Sequence, residues 1–273
     1  MCLKVKEARG SGWISFNDLK LLSLPVELLL PLRNLQNLFM SNCSLKGELP
    51  LDLGKLKRLQ VLDASCNLLV SIPDNLLSNL QSLTVLDLSR NHITSVPYTV
   101  GDLHCCKELC LAHNDLVALP HTIAYMKHLQ LLDVGHNRIA KMATDMFAGG
   151  LRGTLQVLRI NNNQLDRLPR DVGRLSALEE LDVSNNCIYF LPSTIDGLER
   201  LNVLKFHGNN WTNEIPRFKS MLDDGVKGRY GVKARKTARA LVHPDAWRIF
   251  ANCFVRYLVF RFPVMLCFCD TPN

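Results

Sequence analysis

The sequence predicts an α/β solenoid, with short parallel strands on a concave face and helices or 3₁₀ turns on a convex face. Two observations lead to this prediction. Leucine or cysteine recurs every 23 to 26 residues in eight copies, and every copy has leucine at its fourth position. The ninth position is asparagine in seven copies and cysteine in one. The copies begin at Leu35, Leu59, Leu83, Cys106, Leu129, Leu155, Leu178 and Leu201.

Each copy follows the pattern L-x-x-L-x-L-x-x-N-x-L, whose positions we number one to eleven. The clearest copy has Leu83, Leu86, Leu88, Asn91 and Ile93 at the patterned places. Alternate side chains of a strand face opposite sides, so positions four and six should point into the core while three, five and seven point outward. The amide at position nine should satisfy backbone groups of the neighbouring coils. Stacking of coils then supplies the stability.

This pattern is identified as that of the leucine-rich repeats, and it covers about residues 13–216. Most copies end in a hydrophobic-proline pair and a segment such as Leu168–Leu178, which resembles the cytoplasmic Ras-suppressor-like and ERBIN-like proteins and the plant intracellular Ras-group-related repeats. The segment Leu45–Pro50 instead resembles the 24-residue variant of plant receptors. The resemblance implies a leucine-rich-repeat solenoid that acts as a non-enzymatic adaptor or regulator in signalling. It implies a protein partner, by analogy a small GTPase, and no cofactor.

Two places depart from the regular repeat. The leading coil is incomplete, because Arg9 and Gly12 stand where its first leucines are expected. Either the preceding residues cover the solenoid edge irregularly, or the chain is a fragment or variant of a longer protein. The 26-residue copy has Ala143 in place of proline, and we expect a longer helix over Ala143–Leu151 that buries Met146 and Phe147.

Charge and pattern together divide the chain into four segments. Residues 1–216 carry 21 basic and 21 acidic residues, whereas residues 217–273 carry eleven basic and four acidic ones and thus the whole net charge of +7. The segments are an irregular N-terminal stretch (1–12), about eight full repeats plus a partial first (13–216), a basic linker (217–240) and an aromatic-rich C-terminal segment (241–273).

The C-terminal segment leaves three interpretations open. Ile249–Cys269 has the length of a membrane span, but Arg256 and Arg261 lie within it and disfavour insertion. The segment either caps the last repeat, or contacts a membrane or partner with Cys267 and Cys269 as palmitoylation sites, or is a splice-variant tail. Scattered basic residues make nucleic-acid binding a poor expectation.

The ten cysteines form no even framework, and the N-terminus lacks the apolar run of a secretory signal. We therefore expect thiols in a reducing, cytoplasmic compartment, with membrane association as the alternative. No catalytic motif is present. A hydrolase or metal protein that uses Cys110, His113, Asp133 and His136 is a further alternative, because the two histidines share a column about 5 Å apart.

The outward positions predict a docking surface on the concave face. Position three supplies an apolar stripe, position five an acidic row, and position eight a row of imidazoles and amides, while Ala112 and Gly135 leave a shallow hollow. Aspartate at position five is common in this repeat class, so the acidic row by itself need imply no specific partner. The candidate partner-binding residues are Val85, Asp87, Arg90, Glu108, Cys110, His113, Leu131, Asp133, His136, Val157, Arg159, Asn162, Glu180 and Asp182.

Overall fold

The computed structural model describes residues 10–21, 23–24 and 26–210, apart from the side chain of Leu28. The proposed linker (217–240), the aromatic-rich segment (241–273) and most of the N-terminal stretch (1–12) lie outside the described residues. The described strands are β1 (Trp13–Ser15), β2 (Asn37–Phe39), β3 (Lys46–Glu48), β4 (Val61–Asp63), β5 (Leu68–Ser71), β6 (Val85–Asp87), β7 (Glu108–Cys110), β8 (Leu131–Asp133), β9 (Val157–Arg159), β10 (Glu180–Asp182) and β11 (Val203–Lys205).

The predicted solenoid is confirmed by a parallel sheet of nine strands. Its order is β1-β2-β4-β6-β7-β8-β9-β10-β11, and each coil after the first adds one strand over positions three to five of its repeat. Equivalent positions of neighbouring coils pair directly, as Leu62 pairs with Leu86 and Leu86 with Leu109. Positions three, five and eight therefore form rows that run across the sheet.

The opposite side of the coils is built mostly from short 3₁₀ helices. Five of these helices follow a proline, whose φ between −59° and −68° presets the turn. A second, two-stranded parallel sheet joins β3 to β5, and β3 lies within the Leu45–Pro50 segment. The helices are α1 (Val26–Leu29), η1 (Leu51–Lys55), η2 (Leu77–Asn79), η3 (Tyr98–Asp102), η4 (His121–Tyr125), η5 (Gly150–Gly153), η6 (Arg170–Arg174) and η7 (Ser193–Gly197).

The core is formed by the leucines of positions four and six, such as Leu86 and Leu88, which are fully buried. The asparagines of position nine form hydrogen bonds with backbone groups of neighbouring coils around this core. Asn67 Oδ1 accepts the N–H groups of Cys43 and Leu45, each at 3.0 Å, and its Nδ2 donates to Met40 O at 2.8 Å. Cys43 occupies the same position and donates its thiol to Phe16 O at 3.0 Å. The predicted role of position nine is thus confirmed.

The helix predicted over Ala143–Leu151 is wrong. Residues 144–147 form a turn and only η5 is helical there, although Met146 and Phe147 are fully buried as expected. Gly149, with φ of −91° and ψ of −138°, is not helical and interrupts the segment. A Cβ on this residue would lie 2.5 Å from Ala124 O, so the close approach to the preceding coil requires glycine. The Asp171 carboxylate accepts the Phe147 N–H at 2.7 Å and holds the turn.

Within the described part of the chain, no helix combines the length and the apolar character needed to cross a membrane.

Candidate functional site

The fourteen predicted residues lie in three rows on the concave side of the nine-stranded sheet. Parallel pairing in register brings each residue next to its equivalent on the adjacent coil, at the strand spacing of about 4.8 Å. The apolar members Val85, Leu131 and Val157 are half-buried, and no strand of the described sheet covers them. The rows thus present a continuous surface that combines apolar and charged side chains.

The aspartates of position five form hydrogen bonds within their own coils. Each accepts a hydrogen bond from the backbone N–H two residues later, which holds the chain as it leaves the strand. This local role agrees with the frequent aspartate at this position and needs no partner. The pairs are Asp63 with Ser65 (2.9 Å), Asp87 with Ser89 (2.9 Å), Asp133 with Gly135 (3.0 Å) and Asp182 with Ser184 (3.1 Å).

Acidic and basic side chains pair with one another in the C-terminal half of the surface. Arg159 donates to both carboxylate oxygens of Glu180, at 3.0 and 3.3 Å, and lies 3.6 Å from Asp133. Lys205 lies 3.2 Å from Asp182 and 3.5 Å from Glu180. Burial acts against the charged carboxylate of Glu180, but Arg159 and Lys205 outweigh it and hold its pKa below the ordinary value. These side chains are therefore engaged with one another.

The histidines of position eight form a stacked pair. The ring centroids of His113 and His136 are 4.0 Å apart and the rings are nearly parallel, at 11°. Asn162 Nδ2 lies 3.2 Å from His136 Nε2, and Asn185 donates to Asn162 Oδ1 at 3.2 Å. Burial, the second imidazole and Arg90 lower the pKa of His113 to about 4. Burial also lowers the pKa of His136, so the pair is neutral at pH 7.

Position eight has a backbone requirement that the sequence pattern alone did not reveal. Its residues adopt left-handed φ angles, for example 56° at Arg90 and His113 and 55° at His136. Asparagine, aspartate, histidine and glycine tolerate this region best, which explains much of the predicted imidazole and amide row without invoking a ligand. Arg90 does not share this preference, since a bulky side chain is strained there.

The predicted hollow near Ala112 and Gly135 is not open at Gly135. A Cβ built on that glycine would lie 2.6 Å from Asn161 Oδ1, so the Asn161 side chain already fills the space. Asn161, at position seven of the next coil, was outside the predicted set. The space that a glycine leaves beside its backbone is therefore occupied by a side chain of the neighbouring coil.

The arrangement around Cys110 does not favour catalysis. Burial and then the nearby carboxylates of Asp87, Asp133 and Glu108 raise the pKa of the Cys110 thiol well above its ordinary value, which disfavours the nucleophilic thiolate. Within the described residues, Cys110 forms no hydrogen bond to either histidine, and no three His, Cys, Asp or Glu side chains converge into a metal site. This geometry gives no support to the predicted alternative of a hydrolase or metal protein.

Several residues outside the predicted set complete the surface. Phe39, Val61 and Asp63 extend the rows toward the N-terminus, and Lys205 extends position five at the other end. All four occupy position three or five of their repeats. Following the columns through every copy, rather than centring them on the histidine pair, would have found them.

Family models described as leucine rich repeat match the chain over residues 57–116 and 153–210 and over residues 34–56. Together these ranges make up just over half of the chain.

Similar proteins share the repeat over most of the chain. Receptor-like protein 39 of Arabidopsis thaliana is 28% identical over 205 residues, which are 75% of this chain and 18% of that protein. An LRR protein of Leptospira interrogans is 26% identical with a TM-score of 0.67, over 76% of this chain and 58% of that one. The plant peptide hormone receptor RGFR1, in complex with RGF2, is 28% identical with a TM-score of 0.64, over 74% and 34%.

The chain spans less than a fifth of Receptor-like protein 39. These relatives support the repeat at large and not the predicted Ras-suppressor-like or ERBIN-like class, since the two plant relatives are receptors or receptor-like proteins.

Proposed function

Because the chain belongs to the leucine-rich repeat family, whose members are generally protein-binding modules, we propose that it binds a protein or peptide partner on its concave sheet face. The observation that carries the proposal is a sheet face on which half-buried Val85, Leu131 and Val157 stand beside charged residues, with no strand of the described part of the chain over them. Exposed apolar side chains with a polar rim are typical of docking surfaces. The complex of RGFR1 with RGF2 supports a partner of this kind.

We place this module in the cytoplasm as an adaptor or regulator in signalling. The free thiols of Cys105, Cys106, Cys110 and Cys187 support a reducing compartment. A small GTPase is one candidate partner, by analogy with the repeat class that the sequence resembles. Labelling intact cells with a membrane-impermeant biotin reagent tests the compartment, since a cell-surface protein would be labelled and a cytoplasmic one would not.

The docking face is tested by two matched substitutions of large apolar residues. Leu131→Arg places a charge in the centre of the concave face, whereas Tyr125→Arg places the same charge on exposed convex surface. Partners would be captured on each full-length variant from the native cell type and quantified by mass spectrometry. We expect Leu131→Arg alone to lose its specific partners while both variants keep the wild-type circular dichroism spectrum. Retention of all partners by Leu131→Arg would move the site off this face.

A second candidate function is a membrane-associated scaffold that its C-terminal segment targets. The excess of eleven basic over four acidic residues in residues 217–273 favours it, because anionic lipid surfaces attract such segments. Deletion of residues 241–273 should shift the protein from the membrane to the soluble fraction. An unchanged distribution would contradict this function and leave the concave docking site unaffected.

A further inference from the structure

Two carboxylates in the N-terminal half of the concave sheet lie side by side, and no described cation pairs with either. Asp63 and Asp87 are direct neighbours on β4 and β6. The hydrogen bonds that they accept come from Ser65 and Ser89 of their own coils. Among the ion pairs of the described residues, none involves either aspartate. Like charges opposite each other on a sheet repel, so this pair is unfavourable by itself.

Three other carboxylates of the same sheet have a cation close by. Asp133, Asp182 and Glu180 each lie within 3.6 Å of Arg159 or Lys205. These three carboxylates therefore differ from Asp63 and Asp87, although they belong to the same sheet face. Asp63 and Asp87 have no such partner among the ion pairs of the described residues, so charge complementarity there calls for a cation from outside the sheet.

Apolar side chains surround the two carboxylates. Phe39 is paired with Asp63 across β2 and β4, and Val61 and Val85 stand two residues before the aspartates on the same face of their strands. All three are half-buried. Burial and then the charge of Asp63 raise the pKa of Asp87 to about 6, because a second negative charge is unfavourable in this setting. A cation placed between the carboxylates relieves that repulsion.

We propose that this acidic patch, formed by Phe39, Val61, Asp63, Val85 and Asp87, binds an extended basic segment of the protein partner. An arginine or lysine side chain of that segment lies over the two carboxylates, and its aliphatic neighbours contact the valines and the phenylalanine. The inference rests on the proposed function, since it names the chemistry of the partner that docks on the concave face. On the C-terminal side, the cation of Arg90 limits how far a basic segment extends, because it acts on the imidazoles of the next coils and repels further positive charge.

The test uses the full chain and four mixtures of N-acetylated nonapeptides. Each mixture has arginine, lysine, glutamine or glutamate fixed at the centre and random residues elsewhere, and binding is measured by fluorescence polarisation. We expect arginine and lysine to bind about tenfold more tightly than glutamine, with glutamate weakest. This preference should weaken with added salt and as the pH falls below about 6, where Asp87 takes up a proton.

Isosteric variants assign that preference to the patch. Asp63→Asn and Asp87→Asn remove the charges but keep an oxygen that accepts the serine N–H groups, so we expect both to fold, as circular dichroism would verify. Each should lose most of the arginine and lysine preference. Asp52→Asn is the matched control, because it removes an exposed carboxylate on the convex side and should leave binding unchanged.

Three results would overturn the inference. They are the absence of any arginine or lysine preference up to about 1 mM peptide, an undiminished preference in both asparagine variants, or a dimer of the chain that these variants dissociate. The same variants distinguish a failure of this inference from a failure of the proposed function. If only the acidic patch is wrong, Leu131→Arg still loses its native partners while the asparagine variants keep them; if the whole face is wrong, Leu131→Arg keeps them as well.

Discussion

Replacing Asn67 by alanine should destabilise the solenoid more than the same change at the next asparagine of the series. Asn67 bridges two coils through both ends of its amide, and its contacts lie in the closed interior. Within the described residues, the Leu45 N–H and the Met40 C=O have Asn67 as their only hydrogen-bond partner. Asn67→Ala therefore leaves one donor and one acceptor unpaired and also removes the bond to the Cys43 N–H.

The magnitude follows from the number of backbone groups that are left unpaired. A buried polar group without a partner costs about 1–3 kcal/mol, so we expect Asn67→Ala to lower the free energy of unfolding by about 4 kcal/mol. Asn91 is the matched comparison. Its Oδ1 accepts the Leu69 N–H, but the carbonyls of Ala64 and Leu88 that its Nδ2 contacts also accept from Asn67 and Asn114. Asn91→Ala leaves one buried group unpaired, and about 2 kcal/mol is expected.

Urea unfolding monitored by far-ultraviolet circular dichroism measures both free energies, with the slope of each transition as a check on two-state behaviour. Repeat arrays also unfold in parts, so amide hydrogen exchange at Leu45 and Leu69 should show where the loss begins. If the two variants lose equal stability, or if Asn91→Ala loses more, then counting unpaired backbone groups is the wrong explanation of the asparagine series.

Three further predictions concern the histidine pair, Arg90 and Asp171. The double variant His113→Gln/His136→Gln should lose less stability on acidification than the wild type. Folding lowers both histidine pKa values, so the unfolded chain binds protons more readily and wild-type stability falls as the pH drops from 6.5 toward about 4. Urea midpoints measured at pH 7 and pH 5 should therefore differ less in the variant. Arg90→Asn should raise the free energy of unfolding by about 0.5–1 kcal/mol, since asparagine tolerates the left-handed φ of 56°; a lower thermal midpoint would contradict this. Asp171→Ala should lower the free energy of unfolding by about 1 kcal/mol, because the hydrogen bond from the Phe147 N–H is lost. Asp171→Asn should not, since burial already raises the pKa of this carboxyl and so disfavours its charge, and the amide keeps an accepting oxygen. Equal losses in the two variants would refute the distinction.

The repeat period was sufficient to predict the fold because every coil directs the side chain of the same repeat position toward the core. Position four faces the core in each coil, so its eight leucines all indicate the same inward orientation. The period does not describe the 26-residue copy, where the non-helical backbone of Gly149, close to Ala124 of the preceding coil, interrupts the predicted helix. Contacts of that kind depend on the neighbouring coil and cannot be found within one copy.

The surface was predictable as a set of columns but not as a set of interactions. Positions three, five and eight identify which residues face outward. They do not show that Arg159 lies against Glu180 while neither Asp63 nor Asp87 belongs to an ion pair of the described residues, because a side-chain ion pair depends on conformers as well as on register. Likewise, the stacked imidazoles follow from a shared column together with a shared left-handed backbone, and only the column is visible in the sequence.

The asparagine series also determines which insertions and deletions the chain can tolerate. Each amide reaches back to a backbone N–H that lies 21 to 24 residues earlier, and the next amide repeats the contact. Excision of one whole period joins two coils that can form the same contact with each other, whereas loss of a few residues shifts the amide of that coil away from the N–H group that donates to it. The solenoid is therefore expected to lengthen and shorten during evolution by entire coils, with partial changes confined to the convex segment, as the 26-residue copy illustrates.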